Sequence, residues 1–157
     1  MALQEIHKNK MRLWIRLTMI FVAVVLLLFA VVVPMTNNAI ALGVENDLKD
    51  IPLPEKTELV ESISKAGKLV GNGNGMQYFG AILIKSQLPL SELDAYYHSK
   101  KANCWIEPQL GDDIFAVELS DLAFRHTAYG VGYYIVYTWG NASDWIRDWL
   151  NTDTRGH

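Results

Sequence analysis

The sequence predicts an α+β protein: an N-terminal transmembrane helix followed by a small two-layer domain with a mainly antiparallel sheet and one packed helix. Three observations predict it. Leu17 to Val33 is a run of seventeen residues without charge, and Thr18 is its one polar member. The later chain holds short runs of alternating apolar residues bounded by Gly, Asn and Asp, which is the period and punctuation of strands. Between two of these runs, Leu90, Leu93 and Tyr97 recur at helical spacing around Ser91.

The apolar run comes first. At about 1.5 Å of rise per residue it forms a rod of roughly 25 Å, close to the thickness of a bilayer's hydrocarbon core. With Pro34 and Met35 added and Arg16 able to snorkel, residues 17–35 are long enough to span. Residues 1–16, a short tail, carry four bases and one acid, whereas everything from residue 45 onward carries ten bases and sixteen acids. That asymmetry predicts a cytoplasmic N-terminus and an extracytoplasmic C-terminal domain. Trp14 stands where an interfacial aromatic is favoured.

A cleavable signal peptide has the same charge layout. Ala39-Ile40-Ala41 offers a small-x-small site that would release a secreted chain beginning at Leu42. The apolar run, however, exceeds the roughly 7–15 residues of a signal core, and Ala41 lies eight residues beyond it. An uncut anchor is therefore expected. Ala23 and Ala30 are the only small residues of the run and form no GxxxG pair, so anchoring rather than helix pairing is its expected role.

Residues 36–56 read as a linker. They hold Asn37, Asn38, Gly43, Pro52 and Pro54, with four charges between Glu45 and Asp50. Residues 57–157 are then about right for one self-sufficient domain. Thr57 to Ser64 fits an exposed strand with Leu59 and Ile63 on one face and Val60 on the other. Gly71-Asn72-Gly73-Asn74-Gly75 supplies the positive φ angles of a tight hairpin turn. Met76 to Lys85 follows as a strand covered on both sides, with Phe79, Ala81 and Leu83 opposite Tyr78, Ile82 and Ile84.

Ser91 is expected to cap a helix, with Asp94 completing an approximate capping box and Asn103 ending it. Three strands are expected next, at Cys104–Glu107, Ile114–Phe124 (Phe115, Val117 and Leu119 on one face) and Tyr133–Trp139. Gly140-Asn141 breaks the last of them. Ser143 then caps a short helix carrying Trp145, Ile146, Trp149 and Leu150 on one side.

Charge and cysteine content narrow the chemistry. The exported part is acidic and has no basic stripe, which disfavours nucleic acid as a partner. Cys104 is the one cysteine, so no intrachain disulfide forms and the core must hold the domain. That is compatible with export by a bacterium that relies little on disulfides.

Four groups are candidate sites. Gly71 to Gly75 could cradle phosphate, but a strand follows where a phosphate loop opens a helix, so a turn is expected. Cys104 with His98 or His126 could supply a nucleophile and base, although Cys104-Trp105-Ile106 reads as strand core. Asp112, Asp113, Glu118 and Asp121 could gather around calcium, but their spacing is that of ordinary turn residues. No metal and no cofactor is expected. Trp145 and Trp149, four apart on the last helix, are the candidate partner-binding residues.

Leu53-Pro54-Glu55-Lys56-Thr57-Glu58, the Gly71–Met76 turn, Leu90-Ser91-Glu92-Leu93 and Tyr96-Tyr97 together cover most of residues 52–139. In these motifs the chain resembles small exported proteins of Gram-positive bacteria, an uncharacterised family with one N-terminal anchor and a compact outer domain. The resemblance implies that layout and carries no catalytic residue. The functional expectation is a membrane-anchored binding or scaffolding protein with a protein partner. The alternative is a small surface hydrolase using acidic residues or Cys104–histidine chemistry.

Overall fold

The computed structural model describes residues 2–71, 75–111, 113–118, 122–125 and 128–157, with side chains from residue 7 onward. A single unbroken helical rod opens the chain. Helix α1 (Ala2–Leu27) passes through a π-helical stretch (Leu28–Val32) into α2 (Val33–Lys49). The π stretch has a local cause. Pro34 lacks the N–H that would bond back one turn, and the wider winding before it, with Val33 N–H donating to the Leu28 carbonyl, absorbs the mismatch.

The rod enters a four-stranded sheet made of β1 (Thr57–Gly67), β2 (Gln77–Ser86), β3 (Cys104–Pro108) and β4 (Tyr133–Gly140). Its order is β1-β2-β4-β3, and every neighbouring pair is antiparallel. Helices α3 (Leu90–Lys100) and α4 (Asp144–Leu150) and a final 3₁₀ turn (Thr154–Gly156) complete the regular structure.

The two faces of β2 are both buried, as its composition demands. Ile82 and Ile84 meet Leu48 of α2, Leu93 and Tyr97 of α3, Ile106 and Val136 on one side. Phe79, Ala81 and Leu83 meet Ile135, Tyr137, Leu69, Ile114, Val117 and Phe124 on the other. Thus helices cover one face, while Ile114, Val117 and Phe124, from between β3 and β4, cover the second together with Leu69. At the β1–β2 turn end, Val33, Ala41 and Val44 pack on Ala66, Tyr78, Ala142 and Leu150.

Residues 36–49 are not a linker. They are the inner helix of the domain, and Val33, Asn37, Ala41, Val44, Glu45 and Leu48 form its buried stripe. Two glycines let α2 lie close on the sheet. A Cβ on Gly80 would stand 2.5 Å from the backbone nitrogen of Glu45, and one on Gly140 would overlap the Val44 side chain. Only residues 50–56 connect α2 to β1, through Pro52 and Pro54. More than one helix therefore packs on the sheet, contrary to the single packed helix expected.

Other local differences have equally local reasons. A bulge between Leu59 and Glu61 shifts the pairing of β1 with β2, so Leu59 faces the helices while Ile63 faces away and Val60 joins it. Helix α3 begins at Leu90 after Pro89, and neither Ser91 nor any other side chain caps it. Ser143 stands at the start of α4 without a side-chain cap bond. The strand expected over 114–124 is absent among the described residues, which form turns with one isolated bridge from Asp113 to Ala123. There Ile114 and Val117 point into the core while Phe115 is 74% exposed. Leu119 and Asn72-Gly73-Asn74 lie outside the described residues, while Gly71 and Gly75 have the expected positive φ, 72° and 133°.

Candidate functional site

Two places on the domain concentrate polar chemistry, one at each end of the sheet. The first is where α2 enters the domain. Asn37 is fully buried, donates to the Leu150 carbonyl at 3.1 Å and to Asp153 Oδ2 at 2.9 Å, and accepts from the Tyr78 hydroxyl at 2.8 Å. Every polar atom of its side chain is thereby used on the C-terminal tail and β2.

Arg155 closes the arrangement. Its guanidinium donates to Asp153 Oδ2 at 2.6 Å, to Asn38 Oδ1 at 2.8 Å and to the Pro34 carbonyl at 3.1 Å. Those bonds from Arg155, opposed by burial and helped by Asn37, hold the Asp153 carboxyl down at about 2. Backbone bonds finish the seam, with Lys68 N–H donating to the Arg155 carbonyl and Gly75 N–H to that of Gly156. This is a latch between the end of the apolar rod and the tail. Its members all have fixed partners, so it orients the domain and offers no vacancy for a substrate.

Glu45, on α2 one turn beyond Ala41, is buried as Asp153 is. Burial opposes its charge, but hydrogen bonds from Ser62 (2.6 Å), Ser64 and Lys49 prevail and hold its carboxyl below the usual range.

The second place is the far end of the sheet. From Tyr78 to Ser86, eight residues at about 3.3 Å each put roughly 26 Å between the latch and this end. A groove of about 770 Å³ opens here, lined by Lys56, Glu58, Lys85, Ser86, Leu88 and Tyr134 among others. Lys56 adopts a positive φ of 57°, and its carbonyl accepts from Gln87 N–H at 3.1 Å. Gly132 has a φ of 86° and its carbonyl accepts from Ser86 N–H at 2.8 Å.

Hydroxyl and ammonium groups supply the groove's polar chemistry. The Thr57 and Ser86 hydroxyls bond each other at 2.7 Å, and Ser86 Oγ also accepts from Leu88 N–H. Lys85 Nζ stands 3.9 Å from Glu58 and 5.6 Å from the centre of the Tyr133 ring. The lining contains one carboxylate, Glu58, and neither histidine nor cysteine, so it brings no carboxylate pair and no Cys–His pair together. Lys56 and Lys85 line the groove together with Leu88, Val131 and Tyr134. No periodic signal marks it in the sequence, because its residues come from the ends of β1, β2 and β4 and the loops beside them.

The residues singled out from sequence fall elsewhere. Cys104 is 1% exposed in the core beneath α3, and burial pushes its thiol up to about 11. His98 lies on the exposed side of α3, where its Nδ1 is 3.1 Å from Asp94. His126, Asp112 and Asp121 lie outside the described residues; Asp113 and Glu118 are exposed. Among the described residues no cluster of His, Cys, Asp or Glu is arranged to hold a metal ion.

Trp145 and Trp149 do not share one environment. Trp149 is half-buried against Leu150 and Ile146, whereas Trp145 is 86% exposed. The latch residues Asn37, Asp153 and Arg155 were not singled out from sequence. The available signal was the spacing of Asn37, four residues from both Val33 and Ala41.

The rod itself is the one helix among the described residues long and apolar enough to cross a membrane, a property it shares with signal sequences. No protein-family model, no curated protein and no solved structure matches this chain.

Proposed function

We propose that the chain is a single-pass membrane protein with a cytoplasmic N-terminus, whose α+β domain is held outside the cytoplasm as a non-catalytic binding or scaffolding module. The observation that carries this reading is the shared helix: Val33, which ends the apolar run begun at Leu17, is also the first core residue of the domain. Cutting after Ala41 would divide α2 and strip Val33 and Asn37 from the domain. A signal peptide is discarded, whereas this segment is packed. The basic tail and acidic domain favour the stated orientation. The resemblance to anchored Gram-positive proteins fits the same layout.

In this reading the groove at the far end of the sheet faces away from the bilayer and receives the partner, an acidic segment of protein suited to Lys56 and Lys85. The test has two readouts. In whole cells expressing a C-terminally tagged chain, added protease should remove the tag, and before digestion the membrane-bound species should have the uncut mass. A species starting at Leu42, or a tag that survives until cells are broken, overturns the topology. Crosslinking from Lys85 in membranes, compared with a Lys56→Glu, Lys85→Glu double variant, tests the groove. Equal crosslinking of any partner through other positions in both proteins would remove the groove from the reading.

A further inference from the structure

We propose that the domain rests on the lipid surface through Trp145, whose indole sits in the headgroup layer of the outer leaflet. The inference depends on the membrane-spanning reading of the rod and adds to it a lipid contact that the sequence does not reveal. Its first support is length. The run from Leu17 to Val33 measures roughly 25 Å against a hydrocarbon core of about 30 Å. With Pro34 and Met35 the span only just covers that thickness, so no length of rod is left over to hold the domain away from the headgroups.

The second support is the lack of stand-off. Val33, at the end of that run, is 0% exposed because Leu150, Ala142 and Tyr78 already surround it. Asn37 follows four residues later, about 6 Å further along the axis, and holds the Leu150 carbonyl. The headgroup layer is itself about 5–8 Å deep on each side. Ala142 and Leu150, on either side of Trp145 in the chain, both pack in the cluster that contains Val33, so α4 as a whole lies near headgroup depth, held by packing and the Asn37 bond rather than by a flexible arm. Arg155, bonded to the Pro34 carbonyl, stands at the same level.

The third support is the side chain. Trp145 is one helical turn before Trp149 and keeps 86% of its surface free, the most exposed of the described tryptophans. Indole combines an apolar body with one N–H donor, which is why tryptophan collects at membrane interfaces. Arg147 pairs with Asp144 at 2.8 Å, and the exposed Asp148 leaves α4 with one net negative charge, so attraction to anionic headgroups plays no part. Contact here thus needs no anionic lipid. A protein partner on the same residue is the competing occupant, but nothing in the surrounding charge favours one, whereas the bilayer is already placed at that height by Val33 and Asn37.

The test uses the full chain reconstituted in phosphatidylcholine vesicles, with and without bromine atoms on the upper acyl-chain carbons. In a Trp14→Phe background, brominated lipid should quench tryptophan emission, and Trp145→Phe should reduce the quenched component at least fivefold. Trp105→Phe, on β3, should leave it unchanged. Replacing phosphatidylcholine by a mixture with phosphatidylglycerol should alter the quenching by less than a factor of two. If the chain floats with vesicles and Trp14 is quenched in the wild type while Trp145 is not, the span stands and the lipid contact is overturned. Failure to float overturns both. Unquenched Trp145 whose substitution instead abolishes a protein crosslink would assign the residue to a protein partner and also overturn the proposal.

Discussion

Gly80 of β2 and Glu45 of α2 meet backbone against backbone, with 2.5 Å between the Glu45 nitrogen and the place a Cβ on Gly80 would occupy. The helix can sit this deep only because that Cβ is missing. The same approach brings Glu45 within reach of Ser62 and leaves Ile82 and Ile84 to close over Leu48. Gly80→Ala should therefore force α2 away from the sheet, costing about 1–3 kcal/mol. Gly43→Ala, on the same helix where a Cβ meets nothing within 4 Å, should be neutral or stabilising. Urea unfolding of the two variants in detergent checks the contrast.

Asn37 tests the latch. Its removal leaves the Tyr78 hydroxyl and Asp153 short of a partner in a buried place. Asn37→Ala should cost about 3 kcal/mol, whereas Asn38→Ala, which loses one exposed bond to Arg155, should cost less than about 1 kcal/mol. Thermal melts that shift equally for both would show that the buried network adds nothing beyond surface contacts.

Acid should open this seam late. The Asp153 carboxyl is held down at about 2, below its ordinary value of 3.8. A group depressed in the folded state contributes its full stability above the ordinary value and loses it as pH falls through the depressed one. The contribution should therefore be complete above about pH 4.5 and fade between about pH 4 and 2. Asp153→Asn should remove that part of the acid dependence while lowering stability at neutral pH. A pH–stability profile of the two proteins between pH 2 and 7 measures it.

Cys104 should be inert in the native protein. Its thiol is buried and pushed up to about 11, so at pH 8 it is both covered and protonated. An aromatic disulfide reagent should react with it at least a hundredfold faster in denaturant than in buffer. Rapid native labelling would place Cys104 outside the core.

Ending the chain after Gly140 should abolish cooperative unfolding. The truncation removes Leu150, fully buried against Val33 and Tyr78, together with the acceptors of Asn37. A chain that still unfolds in one sharp transition would show that α4 and the tail are accessory.

Much of the sheet was legible because β2 and β4 carry apolar residues on both faces, and Leu93 and Tyr97 repeat at the helical period. The inner helix was hidden by its own polar members. Asn37, Glu45 and Gly43 look like linker chemistry until their partners are known. Two of them are buried because Asp153 and Ser62, distant in sequence, satisfy them. The bulge at Val60 put Leu59 and Ile63 on opposite faces where a shared one was expected, since one extra residue in a strand inverts the alternation beyond it. The described residues of 114–124 have strand composition but make only the isolated bridge of Asp113 to Ala123, and their turns drop Ile114 and Val117 onto the sheet. The groove was not legible at all, because it exists only once the ends of β1, β2 and β4 are side by side.

The unbroken passage from α1 through the π stretch into α2 leaves the domain no swivel. One alanine inserted beside Phe29 would spin the whole sheet by about 100° and raise it by about 1.5 Å, and four would return it close to its original bearing one storey higher. The sheet's compass heading is thereby written into the register of a helix whose residues never touch it.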